Sequence, residues 1–258
     1  MRLLQQYSVQ RYRLSGTHRC QTGLLSLKQK INWPAAHAGS MGKKHARWDI
    51  LNVDMELKQD RCLKQSINKM YFKQDIEECL TVLNNGGLIL YPTDTVWGIG
   101  CDAQNEKAVS RIYALKNRNE QKSMIILLAD EKDILKYTDQ QFPSVFDYVK
   151  GAHKPVTVIY NKAINLAPNL INSDGSIGIR VVKDEFCKRL ITTFGRAIVS
   201  TSSNISGYPA PGIFADIDIK IKDGVDYIVQ HRQDEQDPST PSTVIKINAD
   251  GSYTIIRP

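Results

Sequence analysis

Hydrophobic residues recur at regular spacings from about residue 70 to the end of the chain. Ile76, Cys79, Leu80 and Leu83 lie three or four positions apart, which places side chains on one face of a helix. The Asn-Asn-Gly-Gly run at 84–87 then supplies residues that tolerate the left-handed conformation in which helices often end. The pattern therefore predicts a helix that ends near residue 84.

Short apolar runs follow this helix and alternate with further helical patterns. We predict strands over residues 88–91, 124–128, 156–160, 177–182, 197–200, 226–229, 244–247 and 253–256. Further helices are predicted after the capping residue Asn105, with Ala108, Ile112 and Leu115 on the inner face, and at about 131–137, 143–150 and 184–194. Asp250-Gly251 predicts a hairpin between the last two strands. The alternation indicates an α/β fold: a single domain on a twisted mixed β-sheet flanked by helices.

The first 69 residues have a different composition. They contain 13 Lys and Arg but only 4 Asp and Glu, so their net charge is +9 and the remainder of the chain carries about −2. Their apolar residues show no sustained period, and the first acidic residue is Asp49. We therefore divide the chain into a basic leader, 1–69, and a body, 70–258. The leader is either an organelle transit peptide or the product of a start assigned too far upstream of Met55 or Met70.

Charge and hydropathy exclude several classes of protein. Because the body is near neutral, a general basic-protein argument for nucleic-acid binding fails, and any RNA contact needs a local patch. No apolar run approaches the roughly 20 residues that a membrane span requires, so we expect no membrane partner.

Cysteine and histidine chemistry is limited. The five cysteines form no C-x-x-C pair: Cys20, Cys62, Cys79, Cys101 and Cys187. This is typical of a reduced intracellular protein, and Cys79 and Cys187 fall on apolar helix faces, where we expect buried thiols. The body has two histidines, His153 and His231, both in predicted loops. Neither a catalytic triad nor a zinc site is expected.

The segment Gly98-Ile-Gly-Cys-Asp-Ala103 formally matches the dinucleotide fingerprint G-x-G-x-x-A. That fingerprint requires glycines between the end of a strand and the first turn of a helix. Here a loop separates the strand from the glycines, and the next helix starts only near Asn105. We interpret the glycines as a tight bend. No P-loop sequence occurs.

Two tripeptides at element ends supply groups suited to polyphosphate: Lys116-Asn117-Arg118 and Ser202-Ser203-Asn204. Arg180 lies near the carboxyl end of a predicted buried strand, where α/β sheets bind ligands. Arg257 follows Tyr-Thr-Ile-Ile directly, and a buried strand rarely keeps an arginine without an anionic partner. The polar stretch 232–243 is expected to be a mobile loop over a site. This set suits a reaction driven by positioning and charge stabilisation, without a covalent nucleophile.

The body resembles the YrdC family of threonylcarbamoyl-AMP synthases from about Tyr71 to Pro258. It carries the family's motifs in order: Tyr-Pro-Thr-Asp-Thr-Val-Trp-Gly-Ile-Gly at 91–100, Lys-x-Arg at 116–118, Gly-Ile-Arg-Val at 178–181, Ser-Thr-Ser-Ser-Asn-Ile-Ser-Gly-x-Pro-Ala at 200–210, Ser-Thr-Val-Ile at 242–245 and a terminal Ile-Arg-Pro. The resemblance implies the short, single-domain type of this YrdC-like fold. It also implies an enzyme, a nucleotidyltransferase that condenses L-threonine, bicarbonate and ATP to threonylcarbamoyl-AMP and pyrophosphate.

The resemblance implies roles residue by residue. It implies catalytic roles for Lys116 and Arg118. It implies an ATP site of Lys116, Arg118, Lys122, Ser176, Ser202, Asn204, Ala210 and Arg257. It implies a threonine site of Thr95, Leu127, Arg180, Ser200 and Ser242. Magnesium would be held by the ATP phosphates, with no protein side chain as its ligand.

The resemblance also implies partners. The product would pass to a tRNA threonylcarbamoyltransferase complex that modifies the adenosine next to the anticodon, with a weak tRNA contact by this chain. The location would be cytoplasmic, or an organelle matrix if the leader is a transit peptide. One alternative is a double-stranded RNA or tRNA-binding module of the same fold without catalysis. Another is a carbamoyltransferase module of hydrogenase-maturation proteins, against which the absence of zinc-finger and acylphosphatase-like segments argues.

The leader is expected to be dispensable. Because residues 1–69 offer no apolar face to a core, a protein that starts at Met70 should fold and turn over like the full chain. Soluble expression, urea denaturation and steady-state kinetics of the two proteins check this. Loss of solubility or activity on truncation would show that the leader is structural.

Overall fold

The structure, a computed structural model, describes residues 70–119, 124–139, 143–248 and 250–258. The leader lies outside this range, so its dispensability stays a prediction. A helix, α1, covers residues 70–84. The other helices are α2 (Glu106–Lys116), α3 (Pro143–Gly151), α4 (Glu185–Phe194) and the short α5 (Ile219–Asp223).

Within the described residues, nine strands form one sheet. They are β1 (Ile89–Tyr91), β2 (Gly98–Gly100), β3 (Ile125–Leu128), β4 (Val156–Tyr160), β5 (Ile177–Val181), β6 (Ile198–Ser202), β7 (Tyr227–Ile228), β8 (Thr243–Ile247) and β9 (Tyr253–Arg257). Their order across the sheet is β7-β1-β2-β6-β3-β5-β4-β8-β9. The sheet contains three parallel pairs (β3 with β5, β4 with β8, β1 with β7) besides antiparallel ones, which confirms the prediction of a mixed α/β sheet.

The predicted capping residues act as the sequence indicates. The Asn105 side chain accepts a hydrogen bond from the backbone N–H of Ala108 and so begins α2. Gly195 ends α4 in the left-handed conformation. The Asp250-Gly251 turn joins the antiparallel strands β8 and β9, as predicted. The core of the domain lies on the inner strands, whose apolar residues are buried.

Three sequence predictions are wrong in detail. The glycines that we interpreted as a tight bend form β2, which pairs with β1 and β6. The predicted helix near 131–137 is a 3₁₀ helix over Glu131–Lys136. The last strand, β9, is exposed along its whole length rather than buried. The burial argument for an anionic partner of Arg257 therefore does not hold.

Gly100 shows why β2 carries glycines. A Cβ atom built there would lie 2.7 Å from the Tyr91 ring and 2.8 Å from the carbonyl oxygen of Val199, closer than packed atoms allow. A side chain at this position would push β1 or β6 away. The two glycines thus serve strand packing, and the dinucleotide reading has no support in the fold.

This close approach predicts an asymmetry between two glycine substitutions. Gly100→Ala should lower the free energy of unfolding by about 1–3 kcal/mol, because the new methyl group overpacks the site. Gly151→Ala is the matched control, since a Cβ atom there meets nothing within 4 Å. It should leave stability unchanged or raise it by up to about 1 kcal/mol. Urea denaturation of both variants measures this, and equal effects would contradict the packing argument.

Candidate active site

The motif residues converge on one cleft of about 380 Å³. Nine of the predicted site residues line it: Thr95, Arg118, Arg180, Ser200, Ser202, Asn204, Ala210, Ser242 and Arg257. They come from β5, β6, β9, the end of α2 and the connecting loops. Residues more than one hundred positions apart therefore form one surface, and the volume falls in the range of small-molecule sites.

Arg180 occupies the middle of the cleft floor. It lies on β5, directly opposite Leu127 of β3, and only 4% of the residue is exposed. Its Nη2 atom lies 3.2 Å from Oδ1 of Asp94 and 3.4 Å from Oγ1 of Thr93. Its Nε atom is buried and has no hydrogen-bond partner among the described residues. The protein thus contacts Nη2, whereas the hydrogen-bonding capacity of Nε is not met by the described residues.

The loop between β1 and β2 places Thr95 beside Arg180. The hydroxyl of Thr93 accepts a hydrogen bond from the backbone N–H of Thr95 at 3.0 Å and donates to the carbonyl oxygen of Val96 at 2.9 Å. The two threonine hydroxyls lie 3.0 Å apart. Thr93 therefore contacts both Thr95 and Nη2 of Arg180, although it does not itself line the cleft.

Another part of the cleft lining consists of two neighbouring hydroxyl groups and an arginine. Thr157 of β4 and Ser242 are both buried, and their hydroxyl oxygens lie 2.8 Å apart. Arg257 donates from Nε to the carbonyl oxygen of Ser242 at 3.0 Å. The antiparallel β4–β5 register pairs Val158 with Ile179, and its continuation by one residue brings Thr157 level with Arg180. Sequence reasoning missed Thr157, although a threonine alternating with valines in the predicted strand was a usable signal.

Lys116 lies behind the cleft rather than on its surface. It is the last residue of α2, one turn after the buried residues Ile112 and Tyr113, and it is fully buried. Its Nζ atom donates to the backbone carbonyl oxygens of Ser202 and Asn204, the second at 2.5 Å. The ammonium group therefore ties the end of α2 to the backbone of the Ser-Ser-Asn segment.

The Ser-Ser-Asn segment opens towards a second cavity. The hydroxyl of Ser202 donates to Oδ1 of Asn204 at 2.5 Å, and Nδ2 of Asn204 donates to the carbonyl oxygen of Tyr208 at 2.6 Å. An adjoining cavity of about 400 Å³ shares Asn204, Tyr208 and Ala210 with the cleft. Tyr208 is 71% exposed at this junction, and sequence reasoning did not single it out.

Besides Lys116, two described site residues, Leu127 and Ser176, do not reach the lining. Leu127 is wholly buried in the core beside Arg180. Ser176 is buried and hydrogen bonds to Asp174 and Asn172. Lys122 lies outside the described residues. Proposed roles for all three stay predictions.

Cations dominate the cleft. Among the described lining residues there are three arginines and no carboxylate. Burial and the neighbouring charge of Arg118 lower the pKa of the Lys116 ammonium to about 7. Although β9 is exposed, partial burial of the Arg257 guanidinium and the charge of Arg180 lower the pKa of Arg257. A bound anion would offset both the burial and the repulsion, so the cleft suits a polyanion.

The cysteines and histidines among the described residues do not line the cleft. The thiols of Cys79 and Cys187 are buried as predicted, and burial raises the pKa of each. His153 is exposed, whereas the ring of His231 packs against Phe72 and Phe186. The described residues contain no cluster of His, Cys, Asp or Glu that could hold a metal. No helix in this part of the chain has the length and apolar character needed to cross a bilayer.

Comparison with known proteins assigns the fold and its motifs to a family. Residues 81–258 match the Sua5/YciO/YrdC family, which carries the description "Telomere recombination". The chain belongs to the Sua5/YciO/YrdC family. The resemblance based on the ordered motifs is thereby confirmed.

Relatives within the Sua5/YciO/YrdC family are named as enzymes. A threonylcarbamoyl-AMP synthase of Blochmanniella pennsylvanica is 33% identical over 145 residues, 54% of this chain and 73% of the relative. One of Enterobacter sp. (strain 638) is 30% identical over 179 residues, 67% of this chain and 93% of the relative. These relatives confirm the prediction that the chain is an enzyme.

Solved structures of Sua5 and YciO share the fold. The P. abyssi Sua5 structure complexed with L-threonine has a TM-score of 0.63 and 24% identity, covering 71% of this chain and 53% of that one. E. coli YciO has a TM-score of 0.62 and 21% identity, covering 70% of this chain and 87% of that one. The chain thus spans about half the length of the P. abyssi protein. Identities this low show the common fold alone.

Burial of Lys116 predicts a pH dependence of stability. Its pKa is about 7 in the folded chain, whereas an unfolded lysine keeps its proton to a pH of about 10.4. Between these values the unfolded chain binds the extra proton, so the free energy of unfolding rises with pH. Against Lys116→Met, which lacks this proton, wild-type stability should gain ~1 kcal/mol per pH unit from about pH 7.5 to 9.5 in urea denaturation. A constant difference between the two proteins would contradict the assignment.

Proposed function

We propose that this chain condenses L-threonine, bicarbonate and ATP to threonylcarbamoyl-AMP and pyrophosphate. The observation that carries the proposal is that hydroxyls and cations such as Thr95, Arg118 and Arg180 converge in one cleft, whose described lining includes no carboxylate. The relatives named threonylcarbamoyl-AMP synthase and the threonine-bound P. abyssi structure support it. The product would supply a tRNA threonylcarbamoyltransferase complex.

The threonine half of the cleft would centre on Arg180. The carboxylate of the amino acid would accept a hydrogen bond from the Nε atom of Arg180, which has no partner among the described residues. Asp94 and Thr93 already contact Nη2 of this guanidinium, so its orientation is set before threonine arrives. The hydroxyl of Thr95 and the buried Ser242 would contact the rest of the amino acid.

The nucleotide half would lie along Arg118 and the Ser-Ser-Asn segment. Arg118, Ser202 and Asn204 line the cleft, and the adjoining cavity gives the additional room that an ATP molecule requires. Lys116 would act from behind, because its Nζ atom holds the carbonyl groups of this segment in place. Bound phosphates would favour the protonated form of Lys116, whose positive charge would then contribute to catalysis.

The reaction needs positioned charge rather than a protein nucleophile. The threonine amine and bicarbonate would form a carbamate with loss of water. A carbamate oxygen would then attack the α-phosphorus of ATP, while the bond from this phosphorus to the pyrophosphate oxygen breaks. Negative charge grows on the α-phosphate oxygens and on the pyrophosphate, where Arg118 would stabilise it.

Magnesium would fit this site through the substrate. Because the described lining residues include no carboxylate, the ion would be held by the ATP phosphates rather than by the protein. It would add positive charge at the phosphates. We place the reaction in the cytoplasm, or in an organelle matrix if the leader is a transit peptide, and the weak tRNA contact remains part of the proposal.

Arg180→Lys tests the division of roles. Lysine keeps the charge but loses the planar fork, so the KM for threonine should rise about tenfold, or about 1.4 kcal/mol of binding, with much less change in the KM for ATP. The measurement is pyrophosphate release with each substrate varied in turn. Arg196→Lys is the control, since this arginine pairs with Asp102 at 3.3 Å and does not line the cleft.

The same assay separates the proposal from its alternative. Wild-type pyrophosphate release should require threonine and bicarbonate together. Release that ignores either substrate, or no release with intact RNA binding, would favour the non-catalytic RNA-binding module. Equal effects of Arg180→Lys on both KM values would contradict the role of Arg180 alone.

A further inference from the structure

The segment after β7 is fixed firmly before it reaches the cleft. The buried carboxylate of Asp75, on α1, accepts hydrogen bonds from the backbone N–H groups of Gln230 and His231 at 2.9 and 2.8 Å. The ring of His231 packs against Phe72 of α1, with ring centroids 5.2 Å apart. The next residue, Arg232, therefore starts from a rigid anchor rather than from a free loop.

Arg232 has an unfavourable backbone conformation. Its φ angle is +69°, in the left-handed region that glycine adopts freely and a long side chain adopts only at a cost in free energy. Strain of this kind persists where the surroundings hold it, and it is concentrated at functional sites. A glycine at this position would relieve the strain. The side-chain contacts of Arg232 should therefore explain why an arginine occupies it.

The Arg232 guanidinium links three elements. Its Nε atom donates to Oε1 of Glu235 at 2.7 Å, and its Nη1 atom donates to Oδ2 of Asp184 at 3.0 Å. Asp184 in turn caps the N-terminus of α4. The same Nη1 atom donates to the backbone carbonyl oxygen of Thr93 at 3.2 Å. The two carboxylates thus orient the guanidinium so that it donates to one backbone carbonyl group, that of Thr93, in the loop between β1 and β2.

The peptide group between Thr93 and Asp94 connects the residues that contact Arg180 and Thr95 in the proposed threonine half of the cleft. The Thr93 carbonyl belongs to the peptide that leads into Asp94, the ion-pair partner of Arg180. The Thr93 hydroxyl contacts Thr95 and Arg180 at 3.0 and 3.4 Å. Rotation of this peptide would therefore shift both groups together. Arg232 itself does not line the cleft, so it can act only through this loop.

We propose that Arg232 is a positioning residue for the amino-acid substrate: it clamps the Thr93 carbonyl and thereby sets the geometry of Thr95 and Arg180. This inference rests on the proposed function and deepens it, because it assigns an element outside the cleft to one substrate only. The nucleotide side, formed by α2 and the Ser-Ser-Asn segment, makes none of the Arg232 side-chain contacts described above.

Two substitutions at this position separate positioning from stability. Arg232→Gly and Arg232→Ala both remove the clamp, but glycine relieves the backbone strain and alanine keeps it. Arg232→Gly should therefore unfold at a higher urea concentration than Arg232→Ala. Both should raise the KM for threonine by roughly fivefold or more and to a similar extent, with less than about twofold change in the KM for ATP.

The control is Arg196→Ala, which removes another partly buried arginine with a single carboxylate partner, Asp102. It should leave both KM values within about twofold of wild type.

Two results would overturn the positioning role. One is an increase in the KM for threonine that parallels the loss of stability and is therefore larger for Arg232→Ala than for Arg232→Gly. The other is an equal change in the KM values for both substrates. If the wild type releases pyrophosphate independently of threonine, the proposed function fails. If it behaves as proposed and Arg232→Gly is unchanged, only the inference on Arg232 fails.

Discussion

A buried arginine in the interior of the sheet is the constraint on which the site depends. Arg180 lies on β5, with Leu127 on one side and Thr157 on the other, and it is almost fully removed from solvent. A cation in this position is costly unless it is paired and hydrogen bonded. Asp94 and Thr93 meet only part of that need. Because the pairing of Arg180 is incomplete, the site favours an anionic ligand beside this arginine.

The loop between β1 and β2 follows from this constraint. It must bring a carboxylate and a hydroxyl to Arg180, so its conformation is fixed from within by Thr93 and from outside by Arg232. The proposed nucleotide side has a different arrangement. There a buried ammonium, that of Lys116, holds backbone carbonyl groups and leaves Arg118 to line the cleft. Each half thus combines a group on the cleft with a buried partner that sets its position.

Much of this organisation could be predicted from the sequence. Eight of the nine strands lie within one or two residues of their predicted bounds, because short runs rich in apolar residues leave a clear signal. β2 was missed because Gly98 and Gly100 carry no side chains from which a period can be seen, and their meaning depends on contacts with β1 and β6. The exposed β9 was misjudged, since an edge strand and a buried one can have the same composition.

The site was predictable in its members but not in its geometry. Nine motif residues meet in the cleft, yet the inward direction of Lys116 depends on its place in the buried stripe of α2, which the pattern could have revealed. The contact between Arg232 and Thr93 joins residues 139 positions apart, and no local spacing indicates it. Such contacts depend on the three-dimensional arrangement of loops, which local propensity does not determine.

We propose that one cleft joins an amino acid, bicarbonate and a nucleotide. Mass spectrometry of the small-molecule product that the purified full chain makes from ATP, threonine and isotopically labelled bicarbonate tests this directly. The account predicts an adenylate that contains threonine and the labelled carbon, formed together with pyrophosphate and only when all three substrates are present. An adenylate without the label, or hydrolysis of ATP with no adduct, would contradict it.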